Sequence, residues 1–321
     1  MGDPPRLLDR VRHAIRARHY SRRTEEAYLV WIRRYIVYHR KVHPAELGAD
    51  AIATFLTWLA VDRKVSASTQ NQALSALLFL YREVLRMDPG PIEHVPRAKS
   101  AGHVPVVLSV AEVRAVMGHL TGIPWLVVGL LYGADLRLPE CLELRVKDID
   151  FDRGEIVVRR GKGQKDRRTM LPELVRERLR LHLDEVRRLH EGDIRRGCGR
   201  VVLPAALERK YPNAATEWRW QFVFPAGRIC RAARFGPPSR YHLRESVVQK
   251  ALRQAGRRAG ITKRLGPHVM RHCFGTHLLE DGYDIRTVQE LLGHRDVRTT
   301  MMYVHVMHRG ALGVKSPMDR L

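Results

Sequence analysis

The amino-acid sequence predicts a mainly α fold with a small antiparallel β-sheet, an α+β protein built as two lobes. Three observations carry this reading. Apolar residues recur at helical spacing as far as Met87, a proline- and glycine-rich stretch follows over 88–105, and one glycine-flanked strand pair stands among helical segments beyond it. At 321 residues the chain also exceeds the usual reach of a single hydrophobic core, so two domains are expected.

Leu7, Leu8, Val11 and Ile15 keep i, i+3, i+4 spacing, as do Tyr28, Trp31, Ile32 and Tyr35, then Ile52, Phe55, Leu56 and Leu59, then Leu74, Leu77, Leu78, Tyr81 and Leu85. Four amphipathic helices are predicted, with Ser21 and Ser68 as caps for two of them. Residues 88–105 carry four prolines and two glycines with few apolar side chains, the composition of an extended connection. This gives a helical domain over 1–88, a linker over 89–105 and a second domain over 106–321. The second domain opens with helices at 109–120 and 125–132 and another after Asp135. Residues 150–154 read as a turn, 155–160 as a strand, 161–164 as a hairpin turn and 166–171 as the return strand. A long Arg-rich helix over 174–189, an irregular stretch over 201–241 and helices at 246–259, 269–281 and 285–292 complete the chain.

With 45% hydrophobic and 28% charged residues there is enough apolar side chain for real cores. The net charge of +23 is spread, because residues 1–103 hold 17 Lys and Arg against 10 Asp and Glu and the remainder holds 40 against 24. Two basic lobes suit a clamp that neutralises phosphates along a nucleic-acid duplex, although an Arg-rich solvated surface gives the same count. Cys141, Cys198, Cys230 and Cys273 are too scattered for a structural zinc site or a disulfide framework and read as reduced packing thiols. The first 18 residues alternate Arg with apolar side chains, and no apolar run reaches membrane-spanning length, so no membrane association and a cytoplasmic, nucleoid-associated location are expected.

The chemistry concentrates in an ordered set. His268-x-x-Arg271 is followed by His294 in Leu-Leu-Gly-His and, nine residues later, by Tyr303; upstream stand Arg137 and, in the hairpin turn, Lys162. Two guanidiniums can grip the non-bridging oxygens of a phosphodiester as a pentacovalent phosphorane gathers negative charge. An imidazole can handle protons near neutral pH, and a lysine at a turn tip can protonate a leaving 5′ oxygen. A tyrosine can attack phosphorus, but with an ordinary pKa of about 10 it has to lose its proton on the way. Taken singly these residues are more often packing or solvated than catalytic; the order and spacing of the set carry the weight.

In that order and spacing the set resembles the tyrosine recombinase (phage integrase) family, and the likeness spans nearly the whole chain. Within the family the chain is most similar to integron integrases, through an extra segment at about 203–242 containing Ala206-Leu-Glu-Arg-Lys-Tyr-Pro and Glu217-Trp-Arg-Trp-Gln-Phe-Val-Phe-Pro, and through the tail Gly313-Val-Lys-Ser-Pro-Met-Asp. The resemblance implies a helical core-binding domain and a catalytic domain closing on DNA as a two-lobed clamp. It implies Arg137 and Arg271 as phosphate clamp, Lys162 as general acid, His268 as proton handler, His294 as phosphate support and Tyr303 as the nucleophile of a 3′-phosphotyrosyl bond. It implies no cofactor and no metal, since the covalent bond conserves the phosphodiester energy. The implied partners are DNA, as duplex sites and folded single-strand hairpins of gene-cassette sites, and further copies of the chain in a tetramer assembled on DNA.

Lys165 is the expected phosphate contact in the turn, and Trp218, Trp220, Tyr241 and His242 are the expected contacts for extrahelical bases. Trp218, Phe222 and Phe224 are expected to pin the insertion to the domain, and Trp220 is expected on its other face. Asp135 stands where the family has a small residue, usually Gly, Pro139 where Ser is usual, Ala232-Ala233-Arg234 in place of Asp-Pro-Arg, and Tyr241-His242 in place of His-His. Asp135 could pair with Arg137 and draw it off the phosphate, which keeps open a DNA-binding protein of this fold with impaired catalysis. A type IB topoisomerase-like nicking and closing enzyme would use the same side chains. A metal site on His268, His272 and His277 is disfavoured because Arg271 shares the stretch and the Glu of H-E-x-x-H is missing.

Overall fold

The computed structural model describes residues 6–90, 105–159, 166–203, 205–231, 237–293 and 296–304. The chain divides into two compact units, Met1–His103 and Val104–Leu321, each with its own hydrophobic core.

The first unit holds α1 (Leu7–Ala17), α2 (Arg22–Tyr38), α3 (Ala49–Val61) and α4 (Ala67–Phe79), the last continuing through a π-helical turn over Leu80–Leu85. The four apolar stripes of the sequence are the buried faces: Val11, Ile15, Ile32, Tyr35, Phe55 and Leu77 are all fully buried. Two tyrosines sit inside this core without loss, because the Tyr35 hydroxyl bonds the Tyr81 hydroxyl at 2.9 Å and Tyr81 donates to the Pro44 carbonyl at 2.9 Å. Ser21 caps α2 by accepting the Thr24 amide at 3.1 Å. The cap of α4 is Ser66, not Ser68: the helix starts one residue after Ser66, whose Oγ takes the Thr69 amide at 3.3 Å, and Ser68 falls inside the first turn.

The second unit comprises α5 (Val110–Gly118), α6 (Gly122–Gly133), α7 (Leu138–Leu142), β1 (Ile149–Asp150), β2 (Glu155–Val158), β3 (Arg167–Met170) and α8 (Glu173–Arg195). It continues with α9 (Ala205–Lys210), β4 (Pro225–Cys230), β5 (Ser239–His242), α10 (Glu245–Arg258), α11 (Pro267–Glu280), α12 (Ile285–Leu292) and α13 (Val297–Val304). Helix α6 is apolar on every side because α5, α7, α8, α10 and α11 all pack on it, and its Val127, Val128, Leu130 and Leu131 are fully buried. The strands β1-β2-β3 form an antiparallel sheet, with Ile149 opposite Ile156 and Val158 opposite Arg167. Strand β1 is two residues long, too short for a periodic signal, and α13 is only eight residues long with two threonines; neither is predicted by the sequence.

The stretch expected to be irregular is ordered where it is described. It folds α9, a 3₁₀ turn over Trp218–Trp220 and the hairpin β4-β5, with Pro225 opposite His242 and Cys230 opposite Ser239. Val201, Leu203, Ala214, Trp220 and Phe222 make a small core of its own. The insertion is fastened to the domain by Arg145, whose Nη1 donates to the Trp220 carbonyl at 2.6 Å and Nη2 to the Val202 carbonyl at 2.9 Å. Farther along, Asp193 near the end of α8, only 2% exposed, receives Nε and Nη2 of Arg240 on β5 at 2.6 and 2.9 Å.

Burial works to raise the Asp193 pKa, yet the hydrogen bonds from Arg240 and Arg196 hold it below the usual carboxylate range. Its contribution to stability is therefore complete above the unfolded value of about 3.9 and is lost as pH falls through the lower folded value. Asp193→Ala is expected to cost about 3–5 kcal/mol, because Arg240 is left without its counter-charge. Denaturant unfolding of the two proteins at neutral pH checks this, and a cost below about 1 kcal/mol would contradict it.

Candidate active site

Three segments of the second unit converge at Arg271. Pro267 occupies the first turn of α11, where its missing amide is harmless, and the helix carries Arg271 one turn further in, 5% exposed. Arg271 Nη1 donates to the Asp135 carbonyl at 2.7 Å and Nη2 to the Leu292 carbonyl at 3.0 Å. Its Nη2 also stands 2.8 Å from Asp135 Oδ2, an electrostatic contact and not an aligned hydrogen bond. Asp135 lies in the α6–α7 connection with φ of +53°, the left-handed region that explains why glycine suits this position.

Arg137 precedes α7 and is held by Glu140: Nη1 reaches Glu140 Oε1 at 2.5 Å while the Arg137 amide donates to Oε2 at 3.0 Å. Arg167 on β3 donates from Nη2 to Glu140 Oε2 at 2.9 Å and to the Asp135 carbonyl at 3.1 Å. Pro139 sits in the first turn of α7, where a helix tolerates proline. Tyr303 on α13 is 1% exposed, with its hydroxyl 3.3 Å from His272 Nδ1. Its ring lies directly on α11 at Gly275, where a Cβ would stand 3.2 Å from the ring.

Burial pushes the Asp135 carboxyl up to about 8 against the pull of Arg271, Arg167 and Arg137. The arginine stays a cation, since a guanidinium does not lose its proton in proteins. Glu140 goes the other way: burial would raise it, but Arg167 and Arg137 keep it below the usual range. Burial pushes Tyr303 up to about 12, and Asp135 adds to the rise while Arg271 and Arg137 oppose it. Burial, then His268 and Arg271, lower the His272 pKa, so its imidazole is neutral near pH 7.

Of the residues singled out by sequence, Arg137, Arg271 and Tyr303 come together in this pocket. His268 is exposed in the first turn of α11. Lys162, Lys165, His294 and Ala232-Ala233-Arg234 lie outside the described residues, as do 91–104 of the linker and the tail beyond residue 304. The pairing expected between Asp135 and Arg137 is not formed: Asp135 faces Arg271, and Glu140 takes Arg137. Glu140, Arg167 and His272 belong to the site and were missed as site residues. Strand alternation offered a signal for Arg167, which shares a face with buried Thr169. His277 is committed to Tyr132 and to the Leu108 carbonyl, and among the described residues no group of three donors gathers to hold a metal ion.

In the insertion, Trp220 is not on an open face. Trp220 is 7% exposed and packs with Phe222 in the insertion's own core, as its spacing of two from Phe222 allows, with Lys147 Nζ 3.1 Å from its ring centre. Trp218 packs against the main core with the His190 ring 6.1 Å away. Tyr241 and His242 are half-buried with ring centres 4.1 Å apart, and both pack on Phe222. Trp220, Phe222, Tyr241, Lys147, Arg145 and Arg159 line a groove of about 700 Å³.

The family model described as "Phage integrase family" matches residues 124–309, and "Phage integrase, N-terminal SAM-like domain" matches residues 7–89. The chain belongs to the phage integrase family. This tyrosine recombinase is 48% identical over 316 residues to an "Integrase/recombinase" of Escherichia coli, across 98% of this chain and 94% of that one. It is 29% identical over 315 residues to "Tyrosine recombinase XerA" of Thermococcus kodakarensis, across 95% and 93% of the two chains. Among solved structures, the Tn1549 transposon integrase in complex with transposon right end DNA matches with a TM-score of 0.61 at 15% identity, across 98% of this chain and 96% of that one. The XerH recombinase bound to difH substrate matches with a TM-score of 0.58 at 20% identity, across 94% and 82%. The recombinase thus has the expected mainly α, two-domain fold with small antiparallel sheets.

Asp135 is mostly neutral below pH 8 and ionises above it, where its charge offsets that of Arg271. Asp135→Gly is therefore expected to change DNA cleavage by less than about twofold near pH 7 and to speed it about tenfold near pH 9, equivalent to about 1.4 kcal/mol. Single-turnover cleavage at both pH values checks this; a glycine variant equal to or slower than wild type at pH 9 would contradict it.

Proposed function

We propose that this recombinase cuts and rejoins DNA at specific sites through a covalent bond between Tyr303 and a 3′ phosphate. The observation that carries the reading is the buried Tyr303 hydroxyl near Arg271 and Arg137, both of which favour its ionised form. Arg137 and Arg271 hold the non-bridging oxygens, with Glu140 fixing the Arg137 fork. Lys162 protonates the leaving 5′ oxygen, His268 handles protons at the mouth of the site, and His294 supports the phosphate. Lys165 contacts the backbone. No metal or nucleotide takes part, and exchange of four strands uses four copies of the chain assembled on DNA. Incubation with a nicked suicide site, followed by denaturing electrophoresis, gives a covalent band that Tyr303→Phe abolishes and that a change at exposed Tyr283, Tyr283→Phe, leaves in place. A band surviving in Tyr303→Phe overturns the assignment. No band in wild type favours the binding-only reading, and relaxation of supercoils without four-way junctions favours the topoisomerase reading.

The insertion further supports an integron integrase that inserts and excises gene cassettes and reads folded single strands. Its groove brings the rings of Trp220, Phe222 and Tyr241 together with Arg145, Lys147 and Arg159, whose charge is balanced by Glu140, Glu143, Asp148 and Asp166, and rings of this kind can receive a base turned out of a helix. Tyr241 supplies the stacking face in the groove, and His242 backs its ring with centres 4.1 Å apart. Trp220 serves as a wall, since Lys147 already covers its ring, and Trp218 anchors the segment. Stacking is worth about 1–3 kcal/mol per base, so Tyr241→Ala with His242→Ala is expected to weaken binding to a bulged hairpin by that amount. Binding to a fully paired hairpin of the same sequence changes little; equal losses on both hairpins would mean that these rings only support the fold.

A further inference from the structure

We propose that His272 is a catalytic residue, the general base that takes the proton of Tyr303 as its oxygen attacks phosphorus. The proposal rests on Tyr303 being the nucleophile. The motif directs attention to His268, but His268 sits exposed in the first turn of α11, whereas His272, one turn later on the same face, places Nδ1 3.3 Å from Tyr303 Oη. The two rings are 5.6 Å apart and tilted by 53°, and Gly275 lets the phenol lie against the helix that carries the imidazole. Nδ1 can accept from Oη only when the imidazole is neutral with its proton on Nε2. The surroundings favour that form, since burial, His268 and Arg271 all disfavour the imidazolium.

The phenol needs such an acceptor. It is buried, its pKa is pushed up to about 12, and Asp135 opposes its ionisation while Arg271 and Arg137 assist. A tyrosinate formed in advance is scarce at neutral pH, so the proton has to leave as the bond to phosphorus forms. In the forward step Oη bonds to phosphorus, the bond from phosphorus to the 5′ oxygen breaks, and the Oη proton passes to His272 Nδ1. The 5′ oxygen is protonated separately by the general acid assigned to Lys162. On rejoining, the imidazolium of His272 returns its proton to the departing tyrosine oxygen.

The full-length protein is tested on a nicked suicide site with His272→Asn and His272→Ala, each scored for DNA binding by gel shift and for covalent adduct over time. Asparagine places an amide near the Nδ1 position and keeps a hydrogen bond but takes no proton. Both variants are expected to bind DNA as wild type does and to form adduct about 100-fold more slowly or worse. Added imidazole should restore adduct in His272→Ala, in proportion to its neutral fraction as pH rises, and leave wild type unchanged. A 5′-thiol leaving group should not rescue His272→Asn, although it rescues Lys162→Ala. Wild-type rate and pH profile in His272→Asn would overturn the proposal and leave only a positioning hydrogen bond. Loss of adduct in His272→Ala that imidazole does not restore, in parallel with lost DNA binding, would overturn it in favour of a structural role. An adduct that persists in Tyr303→Phe would instead refute the nucleophile and not the base.

Discussion

The guanidinium of Arg271, 5% exposed on α11, holds the Asp135 and Leu292 carbonyls at once and so fixes the α6–α7 connection and the end of α12 against a single helix. A buried cation of this kind is costly unless every donor finds an acceptor, and here two carbonyls and a carboxyl oxygen surround it. The same connection brings Arg137 and Arg167 within reach, because Arg137 lies two residues beyond Asp135 and Arg167 on β3 donates to the Asp135 carbonyl. Arg167 hydrogen-bonds the same Asp135 carbonyl as Arg271, so one peptide oxygen registers two arginines from different elements.

Three guanidiniums packed together repel one another, and the carboxyl groups of Glu140 and Asp135 are what make the cluster stable without a ligand. The two acids act differently. Glu140 is ionised and geometrically committed, so it orients Arg137 and Arg167 without competing for their outer faces. The Asp135 carboxyl is buried, favours its neutral form up to about pH 8, and makes no aligned hydrogen bond among the described residues, so it answers to pH and to whatever anion approaches. A phosphate diester brings its own negative charge to the arginines and makes ionisation of Asp135 still less favourable. Glycine or a neutral side chain at this position removes that coupling, at the cost of one compensating group for Arg271.

Much of this was legible in the sequence, and what was hidden was hidden for physical reasons. The four helices of the first unit were visible because each buries a stripe one-third of a helix wide, and the apolar positions report it directly. The hairpin β2-β3 was visible through its turn residues, whereas β1 borrows its register from β2 over two residues and leaves no local pattern. Tyr303 was legible as chemistry through its spacing from the histidines, but α13 was not legible as a helix, since a short segment packed on α11 and α12 needs only one or two inward residues. Trp220 was misjudged because it was set apart from Phe222 and Phe224, although a spacing of two gives all three the same parity and all three are buried. Glu140 and His272 could not be read as site members from spacing alone, because their partners, Arg167 and Tyr303, come from elements 27 and 31 residues away.

Gly275 shows how closely packing and chemistry are joined in this unit. A glycine within a helix costs about 0.5–1 kcal/mol relative to alanine, so its presence in the middle of α11 calls for a reason. Here the reason is the Tyr303 ring: a Cβ at position 275 would stand 3.2 to 3.3 Å from three of its atoms, and the phenol would be lifted off the helix. Lifting the ring by even a few tenths of an ångström moves Oη relative to both His272 Nδ1 and the guanidiniums, which are fixed by the separate network around Asp135 and Glu140. Tyr303 is thus positioned by an absence of side chain, while Arg271 and Arg137 are held by buried contacts to the Asp135 and Leu292 carbonyls and to Glu140. Burial keeps the phenol protonated and out of water in the free protein, and the surrounding arginines can act on it only where the helix lets it lie this close.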